Sequence, residues 1–162
     1  MKRNPILEDL NRINREMATL HRMKIRIGIQ GDEGGEVLMI ASVHEFGFTG
    51  TVDVATKHGT HKRRMNIPER SFIRASYEVH RTDIDKFVKD KVSQVIRGKL
   101  TAQQAAERIG VYCVQLVKSF IDDNQVKPEV KDATQNQKTQ FTTLYETGNN
   151  IRDRITYQIG GL

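Results

Sequence analysis

Residues 101–120, with the sequence TAQQAAERIGVYCVQLVKSF, contain the clearest structural pattern in the chain. Thr101 is placed to cap a helix, because Gln104 follows three residues later and a Thr-x-x-Gln pair satisfies the first free amide groups of a helix. Behind the cap, apolar residues recur three or four positions apart, which is the spacing of one helical face. That face consists of Ala102, Ala105, Ile109, Cys113, Leu116, Val117 and Phe120. The stretch therefore predicts a long amphipathic helix with one buried side.

Two more helices are predicted on the N-terminal side of this one. After Pro68 the chain becomes helical, and Thr82-Asp83-Ile84-Asp85 has the composition of a helix start, with a stop at Gly98. Residues 5–20 carry a narrow apolar stripe that consists of Ile6, Leu10, Ile13, Met17 and Leu20. Such a stripe fits packing on the domain as well as packing on a neighbouring subunit, and the pattern leaves both open.

Three segments have the pattern of β-strands. Residues 23–30 alternate apolar and polar side chains, which predicts a strand with one buried face. The glycine-rich residues 31–35 then interrupt the chain, and the apolar run 37–43 predicts a second strand, so the pair is interpreted as a hairpin. A closing strand is predicted near the C-terminus, where the alternating apolar positions are Ile155, Tyr157 and Ile159.

The expected fold is α+β. A small antiparallel sheet, formed by the hairpin at about 23–43 and the C-terminal strand at about 152–159, packs against two or three helices and carries long exposed loops. Residues 1–22 are expected to form an N-terminal amphipathic helix, and residues 23–162 a single α+β domain. The length of 162 residues agrees with one domain.

Two stretches are predicted to be long loops. Residues 46–66 contain three glycines and show no lasting helical or strand period, so we expect an exposed loop there, and loops of this length inside a compact domain are usually functional or disordered. Its basic part is the candidate interface or DNA-facing surface, and it contains Lys57, His58, His61, Lys62, Arg63 and Arg64. Residues 122–139 form the second predicted loop, followed by a short helical turn at 144–148.

Composition limits the classes of function. The net charge of +6 favours approach to polyanions or acidic protein surfaces. Aromatic residues make up only 6% of the chain and tryptophan is absent, which disfavours the stacking platform of single-stranded nucleic-acid binders. The first twenty residues have no continuous apolar core, so we expect neither a signal peptide nor a membrane contact.

No pattern in the sequence predicts catalysis, and we expect neither an enzyme nor a bound cofactor or metal. His58 and His61 lie close together, but their basic neighbours disfavour a metal cation. His44-Glu45 lacks the second histidine of a zinc-protease motif. Cys113 is the single cysteine, and its place on an apolar helix face favours a buried, unreactive thiol.

Three segments are informative when they are taken together and in order. They are VHEFG at residues 43–47, IPERSFIR at residues 67–74, and TLYETG at residues 143–148 with ITY at residues 155–157. Together they resemble the phage virion-morphogenesis or tail-completion family, which includes neck and minor tail proteins of long-tailed bacteriophages. The resemblance covers about residue 24 to the C-terminus. It departs from the family pattern at Ser71, where a second proline is common, and at residues 149–150, where an apolar residue is often found.

The resemblance implies a structural role for the motif residues. In the family the first motif is a turn that ends a strand, the second precedes helices, and the third leads into a closing strand. For Phe72 we expect an anchor in the helical core, and for Arg70 a pairing with a carboxylate. The motif positions are His44, Glu45, Phe46, Gly47, Pro68, Arg70, Phe72, Thr147 and Gly148.

The function implied by the resemblance is structural. The chain is expected to form a homo-oligomeric ring in the virion neck or tail, after assembly in the host cytoplasm, and to help join head to tail. Its expected neighbours are a head–tail connector or portal adaptor and a tail-tube or terminator protein, with a passing contact to genomic DNA left open. The alternatives are a tail-terminator or minor tail protein and, from a different class, a DNA-binding accessory protein.

Overall fold

A computed structural model describes residues 4–31, 35–57, 59–128 and 151–161. Within these ranges the chain forms five helices and two small antiparallel sheets of two strands each, so the predicted α+β class is confirmed. The elements in chain order are α1 (Pro5–Arg22), β1 (Lys24–Gly28), α2 (Gly35–Phe46), β2 (Phe48–Thr56), β3 (Gly59–Ile67), α3 (Ile73–Ile96), α4 (Ala102–Asp122), α5 (Ile151–Arg154) and β4 (Thr156–Gly160).

The paired helices α3 and α4 form the centre of the fold, and the sequence predicted the turn between them. At the end of α3, Gly98 adopts a φ of +72°, and its amide donates to the Val95 carbonyl while the Lys99 amide donates to the Gln94 carbonyl. This is the glycine-dependent way to end a helix. At the start of α4, the Thr101 hydroxyl accepts from the Gln104 amide at 3.2 Å, as the capping box requires.

The chain becomes helical after Pro68, as predicted, but helix α3 does not start at Thr82. It runs without interruption from Ile73, so the predicted start at Thr82 is wrong. Thr82 and Asp83 are exposed residues within the helix, where their side chains do not cap anything. A cap-like dipeptide is only a local preference, and the packing of a continuous helix against α4 overrides it.

The C-terminal half of helix α1 packs against the body, which is one of the two alternatives that its stripe left open. Leu20 lies on the cluster of Val95, Leu100 and Ala105. Arg12 donates from Nη1 to the Val95 carbonyl at 3.1 Å and from Nη2 to the Ile96 carbonyl, at the C-terminal end of α3. On the other side of the turn between α3 and α4, Glu16 Oε2 accepts a hydrogen bond from the Ala102 amide at the start of α4. Both charges match the helix dipole they face.

The N-terminal half of α1 differs from this packed half. Ile6, Leu7 and Leu10 are half or more exposed, with Ile6 at 69%. The apolar stripe is therefore continuous in the sequence, although only its second half is covered by the described residues.

The first sheet joins the two ends of the domain. Strand β1 pairs antiparallel with β4, with Lys24 opposite Gly160 and Ile27 opposite Tyr157. The strands predicted near residues 23–30 and 152–159 are thus present and are neighbours. Helix α4 lies close against β4, since a methyl group at Gly110 would overlap the Tyr157 ring.

The predicted second strand at 37–43 is wrong, because this segment belongs to helix α2. Its buried residues are Val37, Ala41 and Glu45, which are four positions apart and lie on one helical face. A short apolar run without a period fits a buried strand as well as a buried helix, and here the packing of α2 on the core decides. The hairpin expected at 23–43 therefore does not form.

The predicted loop at 46–66 is also wrong. Strands β2 and β3 form a β-hairpin there, with Phe48 opposite Ile67 and Thr56 opposite Gly59. Only residues 57–58 separate the strands, which is the shortest common hairpin connection. Threonine and valine at 49, 51, 52 and 54 favour strands, but the glycines and the basic run hide the alternation. We call this unit the hairpin arm.

The main core lies between α4 and the segments that cross it. Phe72 is 1% exposed and packs with side chains from α2, α4 and the C-terminal segment. Helix α5 is held at the end of α4, because the Arg152 guanidinium donates to both Asp122 carboxylate oxygens at 2.7 Å. The buried members of this core are Ala41, Phe72, Val117, Phe120, Ile121, Val126, Ile151 and Ile155.

Candidate functional site

The structure brings the first two sequence motifs together at a single buried carboxylate. Glu45, at 7% exposure, reaches from the end of α2 to the start of α3. Its Oε1 accepts from the Ser71 hydroxyl at 2.7 Å and from the Arg74 amide at 3.1 Å. Its Oε2 accepts from the amides of Phe72 at 2.9 Å and Ile73 at 3.0 Å. We call this cluster the Glu45 joint.

The joint caps a helix from a distance. The first amides of α3 have no partner within their own helix, and a negative charge near them is favoured by the helix dipole. Phe72, the residue before α3, makes no side-chain cap of its own. Glu45 supplies the missing acceptors from 27 positions earlier in the chain. A charged group that is buried this fully is stable only because donors surround its oxygens.

Backbone contacts complete the joint. The Arg70 amide donates to the His44 carbonyl at 2.7 Å. Gly47 has a φ of +72°, and a Cβ atom there would lie 2.9 Å from the Glu69 backbone nitrogen. The first motif therefore needs glycine at this position for two reasons, its left-handed backbone and the passing chain. Because the first motif ends a helix here, the expectation that it ends a strand is wrong.

Arg70 has a different partner from the one expected. Its Nε donates to the Pro128 carbonyl at 2.9 Å, and partial burial lowers the pKa of its guanidinium. The ion pair in this motif joins Glu69 and Arg74 instead. Among the described residues, Arg70 therefore has a backbone carbonyl as its partner instead of the expected carboxylate, whereas the expectation for Phe72 as a core anchor is confirmed.

The remaining motif positions are partly buried, exposed or outside the described residues. His44 is half-buried, whereas Phe46 is 69% exposed and Pro68 is exposed at the end of the hairpin arm. Thr147 and Gly148 lie outside the described residues, as do the predicted helical turn at 144–148 and most of the predicted loop at 122–139.

The candidate basic residues lie on the hairpin arm rather than on a loop. Lys57, His61, Lys62, Arg63 and Arg64 are all exposed, and His58 lies outside the described residues. Opposite residues of an antiparallel pair share a face, so Lys62 and Arg64 accompany Asp53 and Thr51 on one face. His61 and Arg63 accompany Val54 and Val52 on the other. The strand thus distributes the basic run over both faces of the arm.

The second face of the arm is largely apolar. Its half-buried residues are Phe48, Val52, Val54, Met65 and Ile67. The ring of Phe48 lies over Gly50, where an added Cβ atom would come within 2.7 Å of it. The extensive contacts of the arm are those between its own two strands, and within the described ranges no third strand joins them. The arm is attached to the body mainly at its base, next to the Glu45 joint.

An apolar groove of about 590 Å³ lies beside the joint, between β1, α3 and α4. Ile25, Ile27, Ile73, Ile109 and Leu116 line it, together with Cys113. Burial raises the pKa of the Cys113 thiol, which disfavours the reactive thiolate and agrees with the expected place of this residue on the helix face. Glu45 also borders the groove, but its oxygens are occupied by the joint.

Two other kinds of site are absent from the part of the chain that the structure describes. No group of three or more histidine, cysteine, aspartate or glutamate side chains is arranged there to hold a metal ion. None of the helices described is long and apolar enough to cross a membrane.

Comparison with known proteins gives no relative: no protein-family model matches the chain, and neither does a curated protein or a solved structure.

The sequence did not predict the chemistry of the Glu45 joint. Its acceptor and its donors are more than twenty residues apart, and the local cap before α3, in which the Ser71 hydroxyl accepts from the Ala75 amide at 3.3 Å, gives no indication of Glu45. The sequence showed only that the two motifs containing these residues occur together. It did not show that Glu45 contacts the second motif.

Proposed function

We propose that this chain is a structural virion protein of a tailed bacteriophage, namely a neck or tail-completion subunit that forms a ring and helps join head to tail. The proposal involves no catalysis. In the virion its neighbours are a connector or portal-adaptor protein on one side and a tail-tube or terminator protein on the other.

The observation that carries the proposal is the Glu45 joint. The resemblance to the tail-completion family rests on short motifs, and two of these meet through four hydrogen bonds to one carboxylate. Ser71, the departure from the family pattern, donates one of the four bonds, which proline could not do. These two motifs therefore act together, because their hydrogen bonds fix α2, the base of the arm and α3 to one another.

The architecture of the molecule also supports the proposal that the protein functions by assembling with other subunits. A ring subunit needs a rigid body and extensions that reach its neighbours. The α3–α4 body, clamped by Arg12 and Glu16 of α1, fits the first requirement. The hairpin arm and the uncovered residues Ile6, Leu7 and Leu10 fit the second, since exposed apolar residues in groups mark protein contacts.

A DNA-binding accessory protein is the second candidate, favoured by the exposed charges of the arm. Residues 48–67 contain four lysine or arginine residues against one acidic residue, so +3 of the net +6 comes from about one-eighth of the chain. A basic two-stranded ribbon is able to follow a phosphate backbone. This function requires duplex affinity in the monomer, with a steep dependence on salt.

Mass measurement by light scattering at several protein concentrations, alone and with purified tail tubes or portal complexes, tests the proposal. Large species are then imaged by electron microscopy. We expect a closed ring with rotational symmetry, formed by the protein alone or with its partner. A protein that stays monomeric under all these conditions contradicts the proposal.

Duplex retention at increasing salt separates the second candidate. The variant Lys62→Ser/Arg64→Ser on the arm is compared with Arg81→Ser/Lys89→Ser on the exposed side of α3, which removes the same charge. A monomer that binds duplex DNA, and loses it only through the arm variant, favours the accessory protein.

A further inference from the structure

The hairpin arm has two open edges. Each of its strands is nine residues long and pairs on one side only, within the described ranges. The outer amide and carbonyl groups of β2 and β3 thus form two rows that another strand can join. Proteins usually shorten or cover such edges, and this arm keeps two long ones.

The arm is also poorly supported by its own chain. A two-stranded hairpin in water is marginally stable, and independent stability generally needs a third strand or a covered apolar face. Val52, Val54 and Met65 form such a face, yet the main contacts of the arm are internal. A partner that pairs with an edge supplies the third strand, whereas a nucleic-acid backbone supplies no strand.

The two edges differ in charge. Strand β3 carries His61, Lys62, Arg63 and Arg64, whereas the only charged residue of β2 is Asp53. Like charges directly opposite one another destabilise a strand pair, so two β3 edges repel each other. The β2 edge offers the β3 edge neutral threonine and valine residues and one carboxylate. The charges of two copies of the arm are therefore complementary only when the β2 edge of one copy meets the β3 edge of the other.

We infer that the β2 edge of one copy pairs with the β3 edge of the next copy, head to tail, so that the arms form a continuous sheet between subunits. This inference rests on the proposed ring function and names its contact. A head-to-tail contact uses two different surfaces and closes into a ring when the rotation permits. A closed ring of β2–β3 contacts leaves no strand edge open, whereas a symmetric β2–β2 pair leaves both β3 edges exposed.

Two full-length variants with opposite changes test the pairing. In the first, Asp53→Lys makes both edges basic. In the second, Lys62→Glu/Arg64→Glu makes both edges acidic. Each variant alone should need about ten times more protein to assemble, or more, which corresponds to about 1.4 kcal/mol per contact. An equal mixture should recover the wild-type assembly, because every β2 edge then meets a β3 edge of opposite charge.

Two controls accompany the measurement. Arg81→Glu/Lys89→Glu makes the same change of net charge on exposed positions of α3 and should assemble as the wild type does. Circular dichroism of each variant reports its folding, and recovery in the mixture shows by itself that both variants are folded.

The outcomes separate this inference from the proposed function. A wild-type ring that forms equally well with each variant alone overturns the edge pairing and leaves the ring function standing. Normal assembly of the acidic variant alone identifies a symmetric β2–β2 contact and also overturns the inference. A wild-type protein that never assembles, but binds duplex DNA through Lys62 and Arg64, overturns both.

Discussion

The Glu45 joint and the hairpin arm are adjacent in the chain but are stabilised in different ways. At the joint, one buried carboxylate receives four hydrogen bonds from a segment that lies more than twenty residues away. In the arm, which begins at Phe48, the extensive contacts are between its own strands and the charged residues are exposed. The joint holds the body together, whereas the arm is left available for a partner.

This difference indicates where stability and assembly can be changed separately. A buried charge that loses its partners is costly, and so is a cavity in a packed core. Exposed charges contribute little to the stability of a monomer, although they decide which surfaces approach each other. Substitutions at the joint and core should therefore act on unfolding, and substitutions in the arm on association.

The largest expected effect comes from comparing two phenylalanines. Phe72→Ala removes a side chain that is 1% exposed in the main core and should destabilise the protein by about 4 kcal/mol. Phe48→Ala, at the half-buried base of the arm, should cost about 1 kcal/mol. Urea unfolding followed by circular dichroism measures both. Equal losses would mean that the arm is as firmly packed as the body, and the comparison would fail.

A smaller effect is expected at the joint itself. Glu45→Ala leaves the first amides of α3 and the Ser71 hydroxyl without their acceptor, which should cost about 3 kcal/mol. Glu78→Ala makes the same change at an exposed position within α3 and should cost less than about 0.5 kcal/mol. Urea unfolding measures both variants. If Glu45→Ala were no more harmful than its control, the joint would not be what fixes α3.

The smallest effect is a pH-dependent one at the end of α4. Hydrogen bonds from Arg152 lower the pKa of the Asp122 carboxyl, so the charged form is favoured in the folded state. The stabilisation is then complete above the ordinary aspartate pKa and disappears as the pH falls through the lowered value. Because this carboxylate is 40% exposed, it should contribute less than about 1 kcal/mol.

Asp122→Asn, compared with Asp85→Asn at an exposed position of α3, isolates this contribution. Thermal unfolding between pH 7 and pH 2.5 should show the Asp122 variant below the wild type at neutral pH and close to it at the acid end. A difference that stayed constant across this range would show that the charge of Asp122 is not involved.

Part of the fold was predictable because its signals are local. The capping box at Thr101 and the glycine stop at Gly98 act within one helical turn, so neighbouring residues determine them. The alternation at Ile155, Tyr157 and Ile159 likewise marks a strand wherever it is packed. These elements lie where the sequence predicted them.

The wrong secondary-structure predictions concern segments whose sequences fit more than one kind of element, so that tertiary packing decides which one forms. The run Val37 to Val43 is apolar without a period, and it becomes a helix because one face of α2 meets the core. In the arm, Gly50 and Gly59 together with the basic residues hid a hairpin whose strands support each other only through cross-strand pairs. Both members of each pair lie within residues 48–67, but without a clear turn signal or alternation nothing in the sequence fixes their register.

The sequence by itself determined the α+β class, the long helix at α4, the turn that precedes it and the two strands that close the domain. It also determined which residues are basic and that the motifs occur in a definite order. Only the tertiary structure decided that Glu45 caps α3, that Arg12 and Glu16 clamp the α3–α4 turn, and that the basic run is one edge of a hairpin. The physical reason is distance: caps and alternation act between neighbours, whereas a buried carboxylate or a strand pair needs partners that only the folded chain brings together.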